Sequence, residues 1–124
     1  MGSRELDDGP VMARPKPNTA GVYIISNRIT SSCYIGASKD IWSRWTAHLS
    51  TLRRNKSYCR VLQRAWNKYG SSAFEFAILE VVPTNKNLKG ALLETEQRYL
   101  DLFKPAYNIL QTAGSFSGCV HSEE

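Results

Sequence analysis

The sequence is poor in cysteine, and its three, Cys33, Cys59 and Cys119, are odd in number with no C-x-x-C pair among them. That argues against a disulfide framework, and against a zinc site, which wants four ligands where Cys119 and His121 offer two. Reduced thiols, mostly buried, are the expected state. Long apolar runs are missing as well: none approaches the roughly 20 residues needed to cross a bilayer, and no apolar signal core stands at the N-terminus. These absences point to an intracellular protein of the cytoplasm, nucleoid or an organelle, not secreted and with no membrane partner. Acids are scarce where bases are dense. Arg53, Arg54, Lys56, Arg60, Arg64 and Lys68 fall within sixteen positions that hold no Asp or Glu. A solvated face is one reading of such a run; because a helix that is merely solvated usually mixes both signs, the absence of acids favours the other, phosphate contacts.

What is present is one domain's worth of chain. Its 124 residues, 42% hydrophobic and 22% charged, suffice for a single core, and the net charge is +5. Residues 19–122 carry thirteen basic and six acidic side chains, so the central part is more basic than the whole. Residues 1–18, with Pro10, Pro15 and Pro17 and no periodicity, read as a flexible lead.

The pattern then changes with position. Residues 21–26 and 33–36 read as two strands joined by the turn "NRITSS". Ile41, Trp45, Leu49 and Leu52 form a helical stripe, with Ser38 the expected N-cap and Asp40 in the first turn. A second helix from about Tyr58, with Leu62, Ala65, Trp66 and Tyr69 inward, ends at Gly70. "FEFAILEVV" is a third strand stopped by Pro83, and a long helix from Asn87 to Phe103 is broken by Pro105. The order ββααβα gives an α/β (α+β) domain: a small, mainly antiparallel three-stranded sheet flanked by helices.

One carboxylate interrupts the last helix. Glu96 lies in the middle of the stripe formed by Leu92, Leu93, Tyr99, Leu100 and Phe103, whereas Glu94 lies outside it, paired with Arg98 one turn on. A carboxylate drawn inward costs several kcal/mol unless something compensates. The pattern leaves open a buried ion pair or a metal or catalytic role. On the first helix Arg44 precedes His48 by four residues, so both point one way, close to the strand end that carries Tyr34.

These elements together resemble the GIY-YIG nuclease family: "GVY" at residues 21–23, "YIG" at 34–36, Arg44 ten positions later, "LQRAWNKYG" from Leu62, "FEFAILE" from Phe74, "ETEQRYL" from Glu94 and "YNI" from Tyr107. The resemblance covers roughly residues 20–110 and is greatest to the catalytic domains of intron-encoded homing endonucleases. It implies a metal-dependent DNA endonuclease that hydrolyses phosphodiester bonds in double-stranded DNA, acting as a monomer with one Mg²⁺ or Mn²⁺ ion. A restriction, repair or junction nuclease on the same scaffold, or a DNA-binding module without catalysis, are the alternatives. The domain is placed at 19–110. Residues 111–124, ending "HSEE", are expected to be a linker and the start of a DNA-binding module.

Carried over by position, the resemblance implies that Glu96 holds the metal and Arg44 the scissile phosphate. Tyr23 takes part in removing a proton from water, Tyr34 orients these groups or shares the proton, Asn108 buttresses the site and His48 supports it. Where many homing members carry a histidine between the two central helices, this chain reads "NKSYC", with Ser57 or Tyr58 available in its place. A phenol base, with a reference pKa near 10, predicts an activity optimum above neutral pH.

Overall fold

In the computed structural model, residues 9–108 are described. Three strands, β1 (Gly21–Asn27), β2 (Cys33–Ser38) and β3 (Phe74–Val81), form an antiparallel sheet in the order β2-β1-β3. Helices α1 (Ile41–Arg53) and α2 (Arg60–Tyr69) lie between β2 and β3 in the chain, and α3 (Leu88–Phe103) follows β3. The expected order ββααβα is the observed one.

Strand alternation divides the sheet into two unlike faces. Tyr23, Ile25, Tyr34, Phe74 and Phe76 join Ile41, Trp45, Leu52, Leu62 and Trp66 in the larger core, under α1 and α2. Val22 and Ile35 point the other way and pack with Leu100 of α3, beside Ile24, Ala37, Leu79 and Tyr99. Between Val22 and Tyr23 the pairing of β1 with β3 shifts: Val22 faces Glu80 and Tyr23 faces Ile78, so Leu79 is extra. Such a bulge sharpens the local twist just where Tyr23 begins its face.

Several details depart from expectation. Asp40, not Ser38, caps α1: its side chain accepts a hydrogen bond from Ser43 N–H (3.3 Å), while Ser38 is the last residue of β2 and its hydroxyl bonds back to Asp40. The sheet simply runs two residues longer than "YIG", leaving the cap to the next side chain able to reach the first turn. Helix α2 starts at Arg60 because Tyr58 and Cys59 belong to the loop. On α3 the buried stripe is narrower than predicted: Thr95, Glu96 and Leu100 are buried, but Leu93 and Phe103 are exposed. The sheet face beneath offers only Val22, Ile24, Ile35, Ala37 and Leu79, enough for the middle of the helix, and Phe103 stacks on Tyr99 instead (centroids 6.2 Å apart). Arg98 reaches Glu80 on β3 (3.3 Å) in place of the expected Glu94, and Tyr99 donates to the same carboxylate (2.9 Å).

Part of the expected flexible lead is docked. Val11 N–H donates to Phe74 C=O (2.9 Å) and Val11 C=O accepts from Phe76 N–H (2.8 Å), an isolated parallel bridge on the outer edge of β3. Met12 packs on the larger core, Pro15 is buried, and the Arg14 guanidinium sits 4.8 Å above the Trp42 ring. The unpaired edge of β3 supplies what the lead's composition does not show: backbone partners. Residues 1–8 and 109–124, and with them Cys119, His121 and the predicted start of a DNA-binding module, lie outside the described residues. Cys33 and Cys59 are buried and in no disulfide. No helix among the described residues is long and apolar enough to cross a membrane.

Candidate active site

The two tripeptides of the hairpin meet through their pairing. Tyr23 is directly opposite Gly36, and Ile25 opposite Tyr34, so both phenols rise from one face of the sheet at diagonal positions. Gly36 is required by that geometry: a Cβ there would lie 2.5 Å from the Tyr23 hydroxyl. The glycine of the second tripeptide thus makes room for the tyrosine of the first. Gly21 is constrained in the same way by the backbone of Glu80 on β3.

Helix α1 closes over this face. Trp45 is buried and meets Tyr23 edge-on, with centroids 6.2 Å apart, which pins the second turn of the helix above the strand. One turn later, His48 lies between the tyrosines, its ring centroid 5.9 Å from Tyr23 and 5.5 Å from Tyr34. His48 Nε2 and the Tyr23 hydroxyl share a hydrogen bond of 2.9 Å. Burial pushes the imidazole pKa down to about 4, and the positive charge of Arg44, one turn before it, adds to the shift. At neutral pH the ring is therefore uncharged and can accept the phenol proton, or donate its own, according to tautomer. Arg44 itself is exposed, with its guanidinium open to an anion.

Asn108 acts on the same hairpin from its edge. Its side-chain oxygen accepts from Ile35 N–H (2.8 Å) and its amide nitrogen donates to Ile35 C=O (2.9 Å), gripping the residue between Tyr34 and Gly36. Tyr107 N–H bonds to Cys33 C=O (2.9 Å), so the two residues run along β2 like a fragment of a further strand. The sequence gives no hint of what holds them. Asn27, fully buried, accepts from Ile29 and Thr30 N–H in the hairpin turn, and its amide donates to the Tyr107 hydroxyl 80 residues away (3.1 Å). In the sequence that residue reads only as turn chemistry.

Glu96 enters from α3, one turn before Leu100 on the stripe that packs against β2 and β1. At 4% exposure it is the only charged side chain among the buried described residues. Hard oxygen donors suit Mg²⁺ or Mn²⁺. No group of three or more His, Cys, Asp or Glu that could hold a metal occurs among the described residues. The structure thus brings Tyr23, Tyr34 and His48 together, with exposed Arg44 one turn before His48 on α1, Asn108 clamping the strand of Tyr34 and Glu96 arriving on a different helix. The six predicted phosphate contacts, Arg53, Arg54, Lys56, Arg60, Arg64 and Lys68, are all exposed on α1, α2 and the loop between them.

Comparison with known proteins agrees with the fold. The GIY-YIG catalytic domain model matches residues 19–108. Two Neurospora crassa proteins are similar. The probable intron-encoded endonuclease bI1 is 37% identical over 109 residues, covering 84% of this chain and 23% of the relative. The probable intron-encoded endonuclease 1 is 32% identical over 108 residues, covering 84% of this chain and 34% of the relative. The chain therefore spans between about a quarter and a third of these relatives' length. Among solved structures, the catalytic domain of homing endonuclease I-TevI superposes with a TM-score of 0.65 at 31% identity, over 73% of this chain and 98% of that one. A mutant form of the catalytic domain of intron endonuclease I-TevI gives 0.63 at 27% identity, over 77% and 92%. Sheet order, paired tyrosines and a match across the whole described core lead to one assignment: this chain belongs to the GIY-YIG family and contains its catalytic domain.

Proposed function

We propose that this chain is the cleaving domain of an intron-encoded homing endonuclease, hydrolysing phosphodiester bonds in double-stranded DNA with one divalent cation, Mg²⁺ or Mn²⁺. The observation that carries the reading is the 2.9 Å contact between the Tyr23 hydroxyl and an uncharged His48, with the exposed Arg44 one helical turn away. Packing alone would not set a phenol hydroxyl within hydrogen-bonding distance of an imidazole nitrogen.

Each residue then has a distinct task. Arg44 binds the scissile phosphate with a planar fork that stays charged throughout. A water in line with the leaving deoxyribose oxygen gives its proton to Tyr23 while Tyr23 passes its own to His48 Nε2; the new phosphorus–oxygen bond forms as the old one breaks, and solvent protonates the leaving oxygen. This relay avoids a standing phenolate, which is scarce near neutral pH. Phosphate at Arg44 also offsets the positive charge that lowers the His48 pKa, making the imidazole a better acceptor when DNA is bound. Tyr34 orients the pair, and Asn108 holds the strand on which Tyr34 sits. Glu96 would hold the cation, which when bound supplies charge neutralisation at the phosphate.

The test is nicking of supercoiled plasmid with Mg²⁺ or Mn²⁺ by the wild-type chain, Glu96→Ala and Arg44→Ala. Wild-type nicking that requires metal and falls about 10³-fold or more in both variants is expected. The relay further predicts a rate nearly level between pH 6 and 8. A rate climbing about tenfold per pH unit would mark a free phenolate as the base instead. DNA binding with no cleavage by any of the three would mean a binding module that has lost catalysis.

A further inference from the structure

Between α1 and α2 the chain holds a large aromatic side chain out in solvent. Tyr58 is 77% exposed, and among the described residues neither its ring nor its hydroxyl meets a hydrogen-bonding, ionic or aromatic partner. A lone exposed tyrosine needs no explanation in itself. The loop that carries it does.

That loop is tied down on both sides of the ring. Asn55, in the left-handed region at φ 61°, turns the chain, and Lys56 N–H donates to Thr51 C=O (2.7 Å). Ser57 N–H donates to the side-chain oxygen of Gln63 (3.1 Å), a buried residue whose amide in turn donates to Leu52 C=O and Asn67 (both 3.0 Å), and Asn67 donates to Asn55 (3.0 Å). After the ring, Cys59 is buried, its N–H bonded to Ser57 Oγ and its thiol to Tyr107 C=O (both 3.1 Å). Tyr107 is the residue that pairs with Cys33, next to Tyr34. The backbone that carries the exposed ring is therefore anchored, through Cys59 and Tyr107, to the strand of Tyr34.

Its surroundings define what it can touch. Lys56 and Arg60 stand two positions to either side, Arg54 and Arg64 just beyond, and no carboxylate occurs from residue 41 to residue 74. A flat apolar face framed by cations fits a nucleotide: phosphates on the cations, and a base or sugar face on the ring. We infer that Tyr58 is a DNA-contacting residue whose ring packs on a nucleobase or deoxyribose face within the groove beside the cleavage site. This rests on the reading of the chain as a DNA endonuclease. It adds a non-ionic contact to a surface otherwise built for phosphate.

The experiment is binding to a duplex of about 30 base pairs, without metal so that nothing is cut, followed by fluorescence anisotropy over a range of salt. Wild type, Tyr58→Ala, Tyr58→Phe and Lys56→Ala are compared, with melting temperatures to confirm folding. Tyr58→Ala should weaken binding about 5- to 100-fold with an unchanged salt slope, Tyr58→Phe should bind like wild type, and Lys56→Ala should lower the slope by about one. Duplexes carrying 2-aminopurine separate the two faces: a fluorescence change lost in Tyr58→Ala marks a base, and weaker binding without that change marks a sugar. Tyr58→Ala binding as tightly as wild type would overturn the inference, and so would Tyr58→Phe failing as badly as Tyr58→Ala, because the ring would then not be the contact. A wild-type chain that does not bind duplex DNA at low salt would overturn the endonuclease reading, and this inference with it.

Discussion

The two faces of the sheet are covered in opposite ways. Under α1 and α2 the core is aromatic and polar-tipped: Tyr23, Tyr34, Trp45 and His48 meet edge to face, and a hydrogen bond fixes one phenol. Under α3 it is aliphatic, with Val22, Ile35 and Leu100 fully buried and no ring among those three. The outer surfaces differ too. The segment containing α1 and α2 carries no acid, whereas α3 mixes Lys89 and Arg98 with Glu94 and Asp101. Edge-to-face rings and hydrogen bonds have direction, while aliphatic burial has only area. One face can therefore aim hydroxyls, while the aliphatic packing of the other supplies stability without specifying an angle and leaves Glu96 as the buried charged side chain that α3 brings.

Substitutions on each face can break that contrast. The largest effect is expected for Tyr23→Phe, which keeps the ring and removes the bond to His48. Nicking should fall about 10²- to 10⁴-fold, with little loss of melting temperature. Leu100→Ala should do the reverse, lowering the unfolding free energy by about 2–5 kcal/mol while the folded variant still nicks plasmid at low temperature. A folded Leu100→Ala chain as inactive as Tyr23→Phe would show that both faces aim the site.

A smaller effect sharpens the comparison through pH. His48 titrates near 4 in the folded chain and near 6.5 when unfolded, so between these values the unfolded state binds the extra proton. The stability associated with the neutral imidazole is complete above about pH 6.5 and is lost as pH falls toward 4, on the order of 3 kcal/mol in all. Urea unfolding of wild type and His48→Gln at a series of pH values checks this, since the variant should lack that part of the slope. The smallest effect belongs to the outer face of α3. Arg98→Ala removes an exposed pair with Glu80 and should change stability by under about 1 kcal/mol. A larger loss by thermal unfolding would mean that α3 depends on directed contacts after all.

How much of this could be read from the chain alone depended on range. The two strands with their turn were legible, and four-residue spacing joined Arg44 to His48, because period is a local property, whereas the common face of Tyr23 and Tyr34 depends on the register between strands. The inward turn of Glu96 was legible for the same reason, although the width of its stripe was not, since that depends on how much sheet lies beneath. Asn27 and Tyr107, 80 residues apart, carry no sign of each other. Val11 looks like part of a structureless lead until the unpaired edge of β3 is known to lie beside it. Arg98 chose Glu80 over Glu94 because a neighbouring strand brought a second acid within reach, and only the assembled fold contains that neighbour.

The double grip of Asn108 on Ile35 reaches further than one residue. A strand sliding by a single position past its neighbour reverses every side chain it carries. For β2 that slip would send Tyr34 to the aliphatic side and fill, with another residue's Cβ, the gap that admits the Tyr23 hydroxyl. Both phenols would be lost in one movement, so an amide lying outside the hairpin guards the two of them together.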